Sequence, residues 1–305
     1  MKKVCIIIVN WNRKDDTLRC LTSLQKISRG GNSVEMVVVD NASTDGSVGV
    51  ITEKFPSVTL LVNKANEGFT GGNNRGMKYA YKKRADFVWL LNNDTFVDKN
   101  VLTGLLAGFN DKTVGVAGSK IYFAPGWEFH RDRYKASERG HVLWYAGGLV
   151  DWANMYASHR GVDEVDMGQY DAPVDAVFVT GCSLIIHRDV IQKIGYLDDR
   201  FFLYYEDLDY SLRARRAGFR ILYCPRSILW HVNAGSSGGA GNSLHEYYLT
   251  RNRLLIGMRY APLRAKLALI REAVRFLITG SAIKRKAVFD FALGRFGNRF
   301  SLKAS

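Results

Sequence analysis

The sequence predicts an α/β protein with a mixed, mainly parallel sheet flanked by helices, followed by a basic helical extension. Three observations carry this prediction. Strand-like apolar runs alternate with helix-spaced segments through residues 1–118. Three of those runs stop at polar loops, and positive charge collects at the end of the chain. With 305 residues, 47% of them hydrophobic, the chain can bury one large core and carry an appendage.

Residues 4–9 form a β-rich apolar run, and 17–27 place Leu18, Leu21, Leu24 and Ile27 on one helical face. A second strand over 34–39 ends at Asp40, and a third over 58–62 precedes a helix over 71–82. A fourth over 87–91 ends at Asn92-Asn93-Asp94, after which 101–109 carries Leu102, Leu105, Leu106 and Phe109 on one face. In a parallel sheet the loops Asn10-Trp11-Asn12, 40–46 and 92–94 open on one edge, where open α/β folds hold ligands. A strand over 114–118 closes this half, which suits nucleotide binding.

The second half, 119–243, begins with an aromatic stretch containing Trp127, Phe129, His130, Trp144, Tyr145, Gly147, Gly148 and Trp152. It suits a cleft-lining insertion, with Trp144 and Gly147 as acceptor-side candidates. An apolar run over 174–186 is interrupted at Thr180-Gly181-Cys182, where glycine admits a close backbone approach. Helices over 188–194 and 207–217 and strands over 221–224 and 228–230 follow, and the Gly/Ser segment 235–243 reads as a lid.

From 244 the chain is helical and basic. Thirteen Lys and Arg against Glu272 and Asp290 give residues 251–305 a net +11 of the chain's +14. Leu267, Ile270, Val274, Leu277 and Ile278 set against Arg264, Lys266, Arg271 and Arg275 suggest an amphipathic helix. Its expected partner is an anionic membrane surface, where each basic side chain contributes roughly 1 kcal/mol. No apolar run reaches a spanning length, and no nucleic-acid module accompanies the charge, so nucleic acid is not an expected partner. Cys5, Cys20, Cys182 and Cys224 form no CxxC pair, and the N-terminus carries no secretion signal. A reduced, cytoplasmic protein is expected.

Asp40, at a strand end, can accept a hydrogen bond from the imide N–H of uracil or thymine. The glycine- and asparagine-rich loop 66–76 opens a helix whose N–H groups suit a ribose or phosphate, though it has neither GxGxxG nor Walker spacing. Residues 198–209 concentrate carboxylates beside aromatics. A catalytic base is expected among them; on a helix Asp207 and Asp209 point apart, so only one of the two can face the pocket, while Glu206 and Asp209 share a face suited to pairing with arginines. Asp94 and His231, brought together, would make a mixed N/O set for Mn²⁺ or Mg²⁺, with substrate phosphates completing the shell.

Taken in order, Val9-Asn10-Trp11-Asn12, Val39 with 40–47, Asn66-Glu67-Gly68-Phe69 with Gly72-Asn73-Asn74, Leu91-Asn92-Asn93-Asp94, Thr180-Gly181-Cys182, Tyr205-Glu206-Asp207-Leu208-Asp209 and Trp230-His231 resemble the family 2 glycosyltransferases with the GT-A fold. The resemblance spans residues 4 to about 253. Tyr247-Tyr248-Leu249-Thr250-Arg251-Asn252 resembles a segment of the bacterial rhamnosyltransferase-like branch.

The resemblance implies an inverting sugar transferase. Asp40 would read the pyrimidine, with Asn10, Asn12, Asn66, Gly68, Phe69, Asn73, Asn93 and Gly181 around the nucleotide-sugar and Arg251 at its diphosphate. Glu206 would lie on the acceptor side. Asp94 would close the DxD metal element, in which Asn92 replaces the first acid, and His231 would complete the protein ligands. Asp207, second acid of the family's Glu-Asp pair, would deprotonate the acceptor. The implied donor is dTDP-rhamnose, with UDP-galactose or UDP-glucose as the alternative, and the acceptor a glycan or lipid-linked sugar in surface polysaccharide assembly at the inner face of the cell membrane. A non-catalytic nucleotide-sugar binder is the other reading of the same residues.

Overall fold

The structure is a computed structural model that describes residues 1–232 and 243–300. The segment 235–243, expected to act as a lid, lies outside the described residues apart from Ser243. The first half runs β1 (Lys3–Asn10), α1 (Lys14–Leu24), β2 (Ser33–Asp40), α2 (Ser47–Lys54), β3 (Thr59–Val62), α3 (Gly68–Lys82), β4 (Phe87–Asn92), β5 (Thr95–Val97), α4 (Val101–Ala107) and β6 (Val114–Phe123). The second half adds β7 (Leu143–Tyr145), β8 (Gly148–Asp151), β9 (Tyr156–His159), β10 (Val174–Asp175), β11 (Ser183–His187), α5 (Arg188–Ile194), α6 (Glu206–Arg216) and β12 (Arg220–His231). Three helices follow: α7 (Ser243–Tyr260), α8 (Leu263–Thr279) and α9 (Ala282–Ala292).

Three local expectations change. The run 174–186 divides into β10 and β11 around the irregular segment 176–182, so Gly181 sits in a loop rather than inside a strand. The two strands expected over 221–230 are one, β12, whose register slips between Cys224 and Ile228, beside Pro225, which has no N–H to give the ladder. β6 continues to Phe123, every residue of it buried.

The sheet order is β10-β12-β6-β11-β4-β1-β2-β3, with β5 added to β12 and β7 to β6. β3, β2, β1 and β4 are mutually parallel, and β11 runs antiparallel between β4 and β6. The chain lays β2 and β3 on one side of β1 and then crosses to place β4 on the other, which opens a crevice at the carboxyl ends. Register aligns its rim, with Asn10 opposite Asp40 and Val9 opposite Asn92. Alternate residues of β1 enter opposite cores, as a strand covered on both faces requires. Val4, Ile6 and Ile8 pack with Leu21, Ile51 and Leu105, while Cys5 and Ile7 pack with Met77, Val190 and Tyr210. All four cysteines are buried free thiols.

The C-terminal helices share a core with the second half. Leu254, Ile256, Leu269 and Val288 pack with Phe178, Phe201, Leu208 and Leu212, so the boundary expected after residue 243 runs through a hydrophobic cluster. Arg251, expected at a diphosphate, is fully buried. Its Nη2 donates to the carbonyls of Arg200 (2.9 Å) and Phe201 (2.8 Å), and its Nη1 to that of Gly297 (2.8 Å). Asn252 Nδ2 donates to the carbonyls of Phe201, Leu203 and Tyr204 at 2.8 to 3.0 Å. The clamped loop needs such support, because Phe202, Tyr204 and Tyr205 all hold positive φ (67°, 68° and 71°). Such conformations cost bulky residues roughly 1–3 kcal/mol each. Among the described residues no helix is long and apolar enough to cross a membrane.

Arg251→Met removes three hydrogen bonds from a charged donor to loop carbonyls and is expected to lower stability by roughly 3 kcal/mol or more, read by urea denaturation, without changing nucleotide affinity of the folded protein. Unchanged stability with lost nucleotide affinity would return Arg251 to the donor site.

Candidate active site

The rim of the crevice is a hydrogen-bonded scaffold. Asn10 Nδ2 donates to Asp40 Oδ2 (2.7 Å), Thr17 Oγ1 to Asn10 Oδ1 (2.7 Å), and Asn93 Nδ2 to Thr17 Oγ1 (2.9 Å), joining the ends of β1, β2 and β4. Asp40 Oδ1 accepts the Ser43 N–H at 2.8 Å. Asn10, Asp40 and Asn93 are all buried, so they brace the loops, and Asp40 presents no open edge to a base. Asn73 is buried too and donates to the Phe69 carbonyl of its own helix at 2.9 Å. Of the expected nucleotide contacts, Asn12 is exposed, Asn66 and Phe69 are half-buried, and Gly68 and Gly181 act through the backbone.

Asn12 accepts the Thr44 N–H (2.7 Å) and presents its backbone N–H to Ser43 Oγ (2.9 Å), which ties the first two loops together. Between Asn10 and Asn12, Trp11 stands 40% exposed, a free aromatic face beside the crevice. Sequence pattern alone did not single it out, since an aromatic in a polar loop is equally a packing residue. Gly68 has φ +70°, and a Cβ there would lie 2.6 Å from the Phe202 carbonyl oxygen, so only glycine lets this loop meet the 201–205 loop.

The ladder between β5 and β12 places His231 opposite Thr95, and the Val232 N–H closes it on the Asp94 carbonyl at 2.9 Å. Asp94 Oδ1 and His231 Nε2 are thereby 3.1 Å apart, both residues buried. Their alignment does not make a hydrogen bond, and neither Asp94 Oδ1 nor His231 Nδ1 has a hydrogen-bond partner. Burial works to raise the Asp94 pKa, but the facing His231 and the more distant Arg13 outweigh it and hold the carboxyl below the usual range. Trp144, expected on the acceptor side, packs edge-on against His231 with ring centroids 4.5 Å apart. A buried carboxylate oxygen and ring nitrogen that converge without bonding fit a cation of the Mn²⁺ or Mg²⁺ kind. No third His, Cys, Asp or Glu joins them among the described residues, so a shell there would draw its other ligands from phosphate and water.

Asp207 sits in the first turn of α6, where Gly181 N–H donates to Oδ2 (2.9 Å) and Leu208 N–H to Oδ1 (2.8 Å). A Cβ on Gly181 would lie 2.8 Å from Phe69 Cζ and 3.7 Å from the Asp207 Cβ, so Phe69, Gly181 and Asp207 form one contact cluster. Burial pushes the Asp207 pKa up. Glu206 departs from its expected pairing with arginine. Asp209 takes Arg213 (2.8 Å) and Arg259, whereas Glu206 is buried with Oε2 unbonded. Burial, and then the Asp207 charge, drive its pKa well above the ordinary value of 4.5. Gly147, the other acceptor-side candidate, is buried at φ +122° against the Arg160 guanidinium and is closed to an acceptor.

Residues 2–254 match the family model described as glycosyltransferase like family 2. The chain belongs to that family. Among curated relatives, the low-salt glycan biosynthesis hexosyltransferase Agl10 of Haloferax volcanii is 24% identical over 251 residues, 82% of this chain and 74% of that protein. The N-acetylglucosaminyl-diphospho-decaprenol L-rhamnosyltransferase of Mycobacterium tuberculosis is 25% identical over 246 residues, 76% of this chain and 77% of the relative. Among solved structures, GalNAc-T7 with UDP, GalNAc and Mn²⁺ aligns over 96% of this chain with TM-score 0.65 and 17% identity, the match spanning 55% of that longer chain. The mannosyltransferase PcManGT of Pyrobaculum calidifontis, in complex with GDP-Man and Mn²⁺, aligns over 99% of this chain and 76% of its own, with TM-score 0.56 and 16% identity. The fold of this family 2 glycosyltransferase is GT-A.

A glutamate whose pKa rises on folding binds its proton more tightly in the native state. Its stabilising contribution is complete below the ordinary value of 4.5 and is lost as pH climbs through the folded value. Glu206→Gln is therefore expected to melt close to wild type in mild acid and above it in mild alkali. An offset that does not change with pH, in thermal melts across that range, would contradict the buried neutral carboxyl.

Proposed function

We propose that this family 2 glycosyltransferase moves a sugar from a pyrimidine nucleotide donor to a lipid-linked glycan acceptor with inversion at the anomeric carbon. The observation that carries the proposal is the convergence of the Asp94–His231 pair and the Asp207 cluster at the carboxyl edge of one sheet. dTDP-rhamnose is the favoured donor and a UDP-hexose the second, because rhamnosyl- and hexosyltransferases both stand among the relatives. The Mycobacterium tuberculosis relative, named for a diphospho-decaprenol substrate, supports a lipid-linked acceptor.

Asp94 and His231 would hold a Mn²⁺ or Mg²⁺ ion. That cation would neutralise the charge developing on the departing diphosphate. Trp11 offers a stacking face to the base, while Asn12 and Asn66 stand on the donor side. Asp207, with two N–H groups holding its carboxylate in place, takes the proton of the acceptor hydroxyl as that oxygen attacks the anomeric carbon. Glu206, kept neutral by burial, spares Asp207 a second negative neighbour.

The same enzyme is proposed to rest on the inner face of the cell membrane. On α8, Leu263, Leu267, Ile270, Val274 and Ile278 recur at helical spacing and are each about half exposed or more, beside Arg264, Arg271 and Arg275.

Asp207→Asn is expected to lower transfer by roughly 100-fold or more while a nucleotide titration finds donor affinity unchanged; equal transfer would leave only a donor-binding protein. In sedimentation with anionic vesicles, L267S/I278S should bind markedly less than wild type, and equal partitioning would remove the membrane claim.

A further inference from the structure

We propose that the acceptor's sugar is bound in a cavity beside Asp207 whose far wall is made by the C-terminal helices. This rests on the transferase reading above and adds where, and by what chemistry, the acceptor is held. The cavity encloses about 360 Å³, at the small end of ligand sites, which run from ~300 to ~1,000 Å³. It has room for a mono- or disaccharide. Asp207 lies in its wall together with Tyr156 of β9, Tyr205 of the clamped loop, Phe276 of α8 and Lys284 of α9. Aromatic faces take up the C–H faces of a pyranose ring, and a hydroxyl at the cavity's inner end would meet the Asp207 carboxylate.

His159 of β9 lines the same cavity and adds an acceptor group. Its Nδ1 is 3.1 Å from the Trp144 carbonyl, which can only accept, so the proton is on Nδ1 and Nε2 keeps a bare lone pair. Among the described residues the ring's hydrogen bond is the one from Nδ1. Burial draws the His159 pKa down to about 4, which keeps the ring neutral and the lone pair available to a sugar hydroxyl.

The family match ends at residue 254, whereas Glu272, Ala273, Phe276 and Lys284 lie beyond it. The donor side therefore falls within the matched region, and four of the fifteen residues lining the acceptor cavity fall outside it. Through these four residues α8 and α9 form part of the acceptor wall as well as a surface.

The test is saturation-transfer difference NMR on the full-length protein with the methyl β-glycosides of glucose, galactose, N-acetylglucosamine and rhamnose, with dTDP and UDP titrated separately in the presence of Mn²⁺. Ring protons of at least one glycoside should report binding. Tyr156→Ala, at a half-exposed position that leaves folding intact, and Phe276→Ala should each weaken it about tenfold with nucleotide affinity unchanged. No ring signal from any of the four, or equal signal in wild type and Tyr156→Ala, overturns the proposal. Failure of both nucleotides to bind would instead overturn the transferase reading, and the two failures are read from separate titrations.

Discussion

A three-residue ladder between β5 and the end of β12 is the contact on which the active edge depends. It draws the C-terminal end of the sheet's longest strand back to the loop that leaves β4, setting His231 against Thr95 and so against Asp94. Without it the two groups would belong to different halves of the molecule. The ladder costs little to form because β12 is already anchored along β6 and β5 follows β4 after two residues. The cost appears at its end, where the Asp94 carboxylate is buried and the facing His231 offsets the penalty, holding its pKa below the usual range.

The second constraint is a trade of strain for position. Asp207 begins α6 immediately after a loop with three aromatic residues at positive φ. That loop would relax if it were not gripped by Arg251 and Asn252, whose donors are spent on its carbonyls. The C-terminal helices thus fix the candidate base, line the space in front of it, and close a core over Phe201 and Leu208. Their basic, apolar outer face is a separate property of the same elements.

Much of this was legible in the sequence because it is written in periodicity. The alternating runs located β1 to β4 and their helices, and strand ends rich in Asn and Asp located the crevice. The polar residues themselves were harder to assign. A buried asparagine that braces a loop and an exposed one that binds a ligand have the same spacing, so Asn10, Asn73 and Asn93 read like Asn12 until their partners were visible. Arg251 illustrates the same limit in reverse. Its charge suggested a phosphate, but three backbone carbonyls, those of Arg200, Phe201 and Gly297, use it instead. His159 carried no pattern, and Trp11 stood in a quoted motif without a role of its own until its tertiary placement gave it one.

Asp94 and His231 are proposed together to hold a divalent cation that shares the donor's diphosphate. Crystals of the full-length protein grown with UDP or dTDP and Mn²⁺ allow the metal to be located by its anomalous scattering. One peak is expected in direct ligation distance of the Asp94 carboxylate, His231 and the diphosphate oxygens. A diphosphate bound in the crevice with no peak there, or with the metal held by other residues, would contradict it.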